Sequence, residues 1–163
     1  IYYSRKGENY VNGNIENLAK GNTEICAENI KKAVGGDMFK IETENSYSDN
    51  YHTCTVEAKA EYENNARPKL KKYLDNLDRY DNIFICGPCW WGTYPMAVFS
   101  LIEKLDFSGK NVFPLMTHEG SGLGHSIKDL KKICTGAVIK PELAVHGADA
   151  IKSEQAVANW ANS

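Results

Sequence analysis

The clearest apolar run is Ile83-Phe84-Ile85-Cys86, and its polar lead-in Tyr80-Asp81-Asn82 suits a strand buried on both faces. The run breaks at Gly87-Pro88, passes two adjacent tryptophans and reaches Thr93-Tyr94-Pro95. A helix is predicted there, because Met96, Val98, Phe99, Ile102 and Leu105 recur at helical spacing. The same alternation of strand and helix patterns covers the rest of the chain. Tyr2-Tyr3 ends a first strand, whose opening residues are expected to precede Ile1. A helix from Gly21-Asn22-Thr23-Glu24 carries Ile25, Ala27, Ile30, Ala33 and Val34, and Gly35-Gly36 stops it. Met38 to Ile41 reads as a second strand, followed by a charged helical stretch over about 54–64 and a second helical piece from Pro68 with Leu70, Tyr73, Leu74 and Leu77 on one face. Asn82 to Cys86 is the third strand and Asn111 to Met116 the fourth, with Pro114 marking a bulge or a non-bonding side. Ile127, Leu130 and Ile133 mark a helix, a last strand falls within 137–146, best at Leu143 to Val145, and Ala156, Val157 and Trp160 face inward from a final helix. Glu8 to Lys20 is a polar excursion with a hairpin signal at Asn12-Gly13-Asn14.

Strand and helix alternate five times, which predicts one α/β domain over 1–163: a three-layer sandwich with a parallel sheet and helices on both faces. Ligands of such sheets bind beyond the carboxyl ends of the strands. Three polar or glycine-rich loops fall on that edge, at 4–23, 87–95 and 117–124. Composition narrows the partners. A net charge of -2, without a basic run, argues against nucleic acid. No apolar segment approaches the roughly 18 to 20 residues of a membrane-spanning helix, and no signal peptide is visible. Five scattered cysteines, an odd count, argue for a reducing compartment, with the cytoplasm expected. Cys86-Gly-Pro-Cys89 has dithiol spacing, but Cys86 lies inside the strand run and the next helix starts several residues later, so a redox dithiol is disfavoured. No second Cys/His pair at ligand spacing supports zinc.

The rim loops carry the candidate chemistry. Ser4 offers a hydroxyl, Arg5 or Lys6 a charge, and Gly21-Asn22-Thr23 the N–H groups of a helix start, which together suit a phosphate. The bland alternative is that Asn22 or Thr23 only caps the helix. The glycine spacing does not match a nucleoside-triphosphate loop. Trp90 and Trp91, leaving a buried strand in different directions, look placed to meet a flat ligand.

A strand ending in Tyr3-Ser4, the Gly21-Asn22-Thr23-Glu24 helix start, Pro88-Cys89-Trp90-Trp91-Gly92-Thr93 after the third strand and Gly120-Ser121-Gly122 after the fourth together resemble the flavodoxin-like family over almost the whole chain. The resemblance implies a five-stranded sheet in the order 2-1-3-4-5 and a bound FMN. It assigns the phosphate to Ser4, Lys6, Asn22 and Thr23, with Arg5 and Gly21 in the same loop. The backbone of Cys89 to Gly92 would face the ring between Pro88 and Thr93, under Trp90 or Trp91, and the loop holding His118, Glu119, Gly120 and Gly122 would close the other side. The chain departs from the pattern in the 16 residues between Ser4 and Gly21, and in lacking an acidic residue followed by a ring-stacking tyrosine after the fourth strand. His118, Leu123 or a tryptophan is left for that place. The expected function is electron transfer to a redox protein or small acceptor by a monomer or weak dimer. The alternatives are an FMN-dependent NAD(P)H:quinone-type oxidoreductase and a flavin-free binding module. Glu44, Asp49, Glu57, Glu61 and Glu63 read as a solvated face before they read as a docking patch, Tyr47 and Tyr51 as a possible acceptor pocket, and His52 and His125 carry no functional signal.

Overall fold

A computed structural model describes residues 1–163. The polar excursion is an antiparallel hairpin, β1 (Gly7–Val11) and β2 (Asn14–Leu18), turning at Asn12 (φ 48°) and Gly13 (φ 91°). Two successive positive φ values form the type I′ turn that Asn-Gly favours. Helix α1 (Asn22–Val34) buries Cys26, Ala27 and Ile30 and ends at Gly35, whose φ of 75° suits only glycine well. Helix α2 (Tyr51–Glu63) starts three residues before the charged stretch, because the Asn50 side chain accepts from Thr53 N–H at 3.0 Å and caps it there.

The central sheet is parallel. β3 (Asn82–Pro88) pairs with β4 (Asn111–His118) from Asn82↔Asn111 to Pro88↔Thr117 without a break. On its other side β4 pairs with β5 (Val138–Ile139) and then β6 (Leu143–His146). The last strand is split around Pro141, where the register slips by one residue, from Val112↔Ile139 to Leu115↔Leu143, a bulge of the kind that tolerates proline. Pro114 faces that gap, so it costs the sheet no bond there. The expected clean five-stranded sheet is therefore not what forms: four strands are laddered, and the hairpin is a separate two-stranded sheet. Beyond β3, Tyr2 alone bridges in parallel to Cys86 on one side and Lys40 on the other. Residues 1–3 and 39–41 lie beside the sheet, but each is too short to add a ladder.

The second helical piece from Pro68 is absent. Asn65 in the left-handed conformation (φ 48°) ends α2, and Leu70 bridges antiparallel to Thr43. Backbone bonds from Glu44 N–H to Lys69 O and from Lys71 N–H to Glu42 O replace helical ones, while Leu70 and Leu77 still reach the core. Alternating strand residues build two cores. Ile83, Ile85, Val112 and Met116 pack under α3 (Met96–Ile102) and α4 (Ser126–Ile133). Cys86, Phe113, Leu115 and Val145 pack under α1 and α5 (Glu154–Ala161), the latter entered through a 3-10 turn at Gly147–Lys152. Trp160 closes this layer edge-on to Phe84 and Phe113 and donates its indole N–H to Pro141 O at 2.7 Å. No helix is long and apolar enough to cross a membrane.

Candidate functional site

Two cavities of about 280 Å³ flank the sheet. One is apolar and lies at the amino end of β3, among Ile1, Phe39, Leu77 and Ile83. The other opens at the carboxyl ends of β3 and β4, is mostly polar, and gathers all three rim loops, the place where sheets of this kind hold ligands. It is the candidate site.

The floor is the start of α1. Gly21 lets the first loop lie against it: a Cβ there would stand 2.2 Å from Ser4 Oγ and 2.4 Å from Arg5 O. Ser4 Oγ accepts from Glu24 N–H at 3.0 Å, so Ser4 caps the helix across the loop. The N–H groups of Asn22 and Thr23 have no acceptor in the protein, as is usual in the first turn of a helix, a geometry suited to an anion. Thr23 Oγ1 meets Thr117 Oγ1 at 2.7 Å in a buried contact, tying the cradle to the end of β4, and Thr117 O holds Cys89 N–H at 2.8 Å. Arg5 lines the cleft, yet its guanidinium donates to the carbonyls of Glu8 (3.2 Å), Ser48 (2.8 Å) and Asp49 (2.8 Å) and holds the loop before α2. Lys6 is exposed and outside the lining.

The tryptophan loop is a tight turn, with Trp90 N–H to Thr93 O at 2.8 Å and Thr93 N–H to Trp90 O at 3.3 Å. Trp91 (φ 54°) and Gly92 (φ 83°) both take left-handed conformations, which costs roughly 1–2 kcal/mol at a non-glycine residue. The two indoles part company. Trp90 lines the cleft, half-buried and edge-on to Tyr3 (5.2 Å between centroids) and Tyr47 (5.1 Å). Trp91 turns outward along α2, donates to Thr55 O at 3.1 Å and lies under Lys59. Pro88 and Cys89 line the cleft, whereas Gly92 and Thr93 stand behind it: Gly92 O accepts from His125 N–H at 2.7 Å and Thr93 Oγ1 donates to Asp129 at 2.7 Å.

On the far side, His118 Nδ1 accepts from Gly120 N–H at 3.0 Å, and burial, with His146 beside it, holds its imidazole below the usual pKa. Glu119 Oε2 accepts from Asn12 N–H at the hairpin tip (3.1 Å) and lies 3.5 Å from His146 Nε2. Its Oε1 is buried without a hydrogen-bond partner. Gly120 and Gly122 shape the loop by positive φ and have open space around them. Within the 4–23 loop, Asn9 and Tyr10 were not singled out by the sequence pattern; the hairpin brings both into the lining, with Tyr10 stacked on Tyr51 at 6.2 Å. Tyr51 joins the cleft as a pocket residue, but Tyr47 does not; its hydroxyl donates to Glu61 at 2.7 Å. Cys86 is buried in β3 and its thiol is pushed up to about 12 by desolvation, which removes it from dithiol chemistry at neutral pH.

A parallel sheet between two helical layers, with a cleft at the strand ends built on a helix start and the turn after β3, defines an α/β protein of the flavodoxin-like fold. The sequence model of the flavodoxin family matches residues 16–163, and the chain belongs to that family. Among solved structures, a Bacteroides eggerthii protein designated a flavoprotein is 27% identical, with a TM-score of 0.76 over 99% of this chain and 92% of its own. A Bacteroides uniformis counterpart is 25% identical at a TM-score of 0.76, covering 99% of this chain and 95% of the other. A Lactobacillus acidophilus flavoprotein in complex with FMN shares the fold at 18% identity and a TM-score of 0.65, over 93% of each chain. No curated protein sequence matches the chain.

Proposed function

We propose that this protein binds FMN in the rim cleft and transfers electrons through it to a redox protein or small acceptor. The observation that carries the reading is the start of α1, where two free N–H groups and the Ser4 hydroxyl face a cleft that Trp90 also lines. Such a terminus favours an anion through its geometry and its dipole. Glu119 adds a second fit, because a buried, unpartnered carboxylate oxygen suits the hydroxyl donors of a ribityl chain. Ser4, Asn22 and Thr23 would hold the phosphate, Pro88 to Trp90 the ring, and His118 to Ser121 the far edge. When bound, the flavin supplies one- and two-electron chemistry, and the protein's share is to bind, orient and screen it. A visible spectrum of the purified protein, before and after FMN is added and the excess removed, tests this. Retained flavin bands with quenched fluorescence are expected. A folded protein that stays colourless would favour the flavin-free binding module.

A second reading, an FMN-dependent reductase of a small acceptor such as a quinone fed by NAD(P)H, is supported by Tyr10, Tyr51 and Trp90. They give the cleft an aromatic wall suited to a flat acceptor. Rapid bleaching of the bound flavin by NADH or NADPH alone would select it.

A further inference from the structure

The hairpin between Ser4 and Gly21 crosses the cleft. It leaves the floor at Ser4 and Arg5, puts Asn9 and Tyr10 into the lining, and ends with Asn12 N–H donating to Glu119 Oε2 at 3.1 Å on the far side. Its base is firmly fastened. The Glu8 carboxylate accepts from Tyr51 N–H at 2.7 Å and from Asn50 Nδ2 at 3.3 Å, and the Tyr10 ring stacks on Tyr51. Its outer half is not. β2 pairs with β1 alone, and residues 14–17 are exposed. At the tip, beside the buried Val11, the Asn12 N–H makes the hydrogen bond to the body.

Glu119 faces two ways. Its Oε2 holds the tip and lies 3.5 Å from His146 Nε2, whereas Oε1 is buried without a partner. That second oxygen lies at the floor, beside the start of α1: a Cβ on Gly147 would stand 2.3 Å from it and 2.6 Å from Asn22 Nδ2. A carboxylate oxygen buried without a donor is costly, and a ligand hydroxyl placed there removes the cost. The same contact holds the carboxylate in the orientation that accepts Asn12. A hydroxyl donor in the cleft and the hairpin across it therefore stabilise each other through one side chain, and the coupling is reciprocal.

We propose that the β1–β2 hairpin is a strap that lifts from Glu119 to admit FMN and that bound FMN holds shut; the proposal rests on the FMN reading. The strap pivots where Glu8 is fastened to α2. Closed, it brings Asn9 and Tyr10 into the cleft wall; lifted, it takes them away and opens the start of α1. Glu119 is the positioning residue that joins the two events.

The amide of Asn12 reports the latch directly, because it stands outside the cleft lining. Water-exchange NMR of the flavin-free protein is expected to show it slowed at least about threefold against the rate of an unfolded chain, within the range of one net hydrogen bond. Saturating FMN should slow it at least about fivefold further, the low end for coupling between two sites. An unslowed amide, or one that FMN leaves unchanged, overturns the proposal. FMN uptake and release are then followed by flavin fluorescence in Glu119→Ala and Glu119→Gln. Both lack the charge, so repulsion of the phosphate is equal in the two, but only glutamine keeps an acceptor for Asn12. Uptake by the alanine variant should be at least about threefold faster than by the glutamine variant, with release faster as well. A residue that only touched the ligand would change release alone, and equal uptake overturns the strap. Wild-type protein that holds no FMN sinks the reading underneath and the coupling with it, while Asn12 exchange in the flavin-free protein still decides the latch.

Discussion

Gly21 is the position where one methyl group tests the cradle. Its backbone is extended (φ −70°, ψ 148°), so alanine meets no conformational penalty there and the effect is purely one of space. The added Cβ would stand 2.2 Å from Ser4 Oγ, 2.4 Å from Arg5 O and 2.8 Å from Arg5 C. Ser4 can rotate away, but the Arg5 backbone cannot, so residues 4–5 must move off the start of α1. That movement breaks the Ser4 cap on Glu24 N–H, worth about 1 kcal/mol. It also separates the hydroxyl from the free N–H groups of Asn22 and Thr23. Hydrogen bonds to a charged group contribute about 1.5–3 kcal/mol each. Losing one and misaligning another should cost FMN about 2–3 kcal/mol, a weakening of roughly 30- to 150-fold. Melting should fall by about 2–4 °C for the lost cap. Fluorescence titration with FMN and with riboflavin measures this, since riboflavin lacks the phosphate. FMN is expected to weaken strongly and riboflavin less than about threefold on the same scale. Unchanged FMN affinity, or equal weakening of both ligands, would refute the assignment of the phosphate to the start of α1.

Trp90→Ala should restore much of the fluorescence of bound flavin and cost about 2–4 kcal/mol of stability as a half-buried indole is lost. Trp91→Ala, whose ring lies along α2, should change the emission little; the reverse pattern would show that Trp91 swings over the ring. Burial pushes the thiols of Cys26 and Cys54 up to about 11 and those of Cys86 and Cys134 up to about 12. A thiol reagent at mildly alkaline pH should therefore find one fast cysteine, Cys89, in the native protein and the other four only after unfolding; two fast thiols would contradict the buried placement of Cys86. Arg67 grips Glu103 through two bonds of 2.7 and 2.6 Å and holds its carboxyl below the usual range. The folded value being depressed, the stability from this pair is present above the ordinary carboxylate pKa and fades as pH falls through the lower one. Arg67→Met should then cost at most about 1 kcal/mol at neutral pH, the pair being partly exposed, and the difference between the two melting curves should close in acid.

Sequence by itself determined whatever depends on neighbours in the chain. Asn12-Gly13 needs two positive φ values and so makes its hairpin turn; the apolar run at 83–86 makes a strand, and Gly35 stops α1. The three rim loops, and with them most of the cleft, were legible because alternating strands and helices force them to one edge. Tertiary structure decided the rest. The apolar spacing of Leu70, Leu74 and Leu77 fits a helix as well as an irregular segment, and pairing with residues 42–44 chose the latter. A one-residue register slip around Pro141 split the last strand where the pattern showed only a broad candidate region. Which tryptophan faces the cleft depends on the turn geometry and on the Thr55 carbonyl 36 residues away. Arg5 looked free for a phosphate until its carbonyl partners, 43 and 44 residues on, came into place. The hairpin lies over the cleft because Glu119, 107 residues beyond Asn12, accepts its tip. Likewise His125 carried no signal alone and acquired partners only when α2, α4 and the tryptophan turn met. A hydrogen bond between distant segments has no local cause; it exists only once packing has paid the entropy of bringing both ends together.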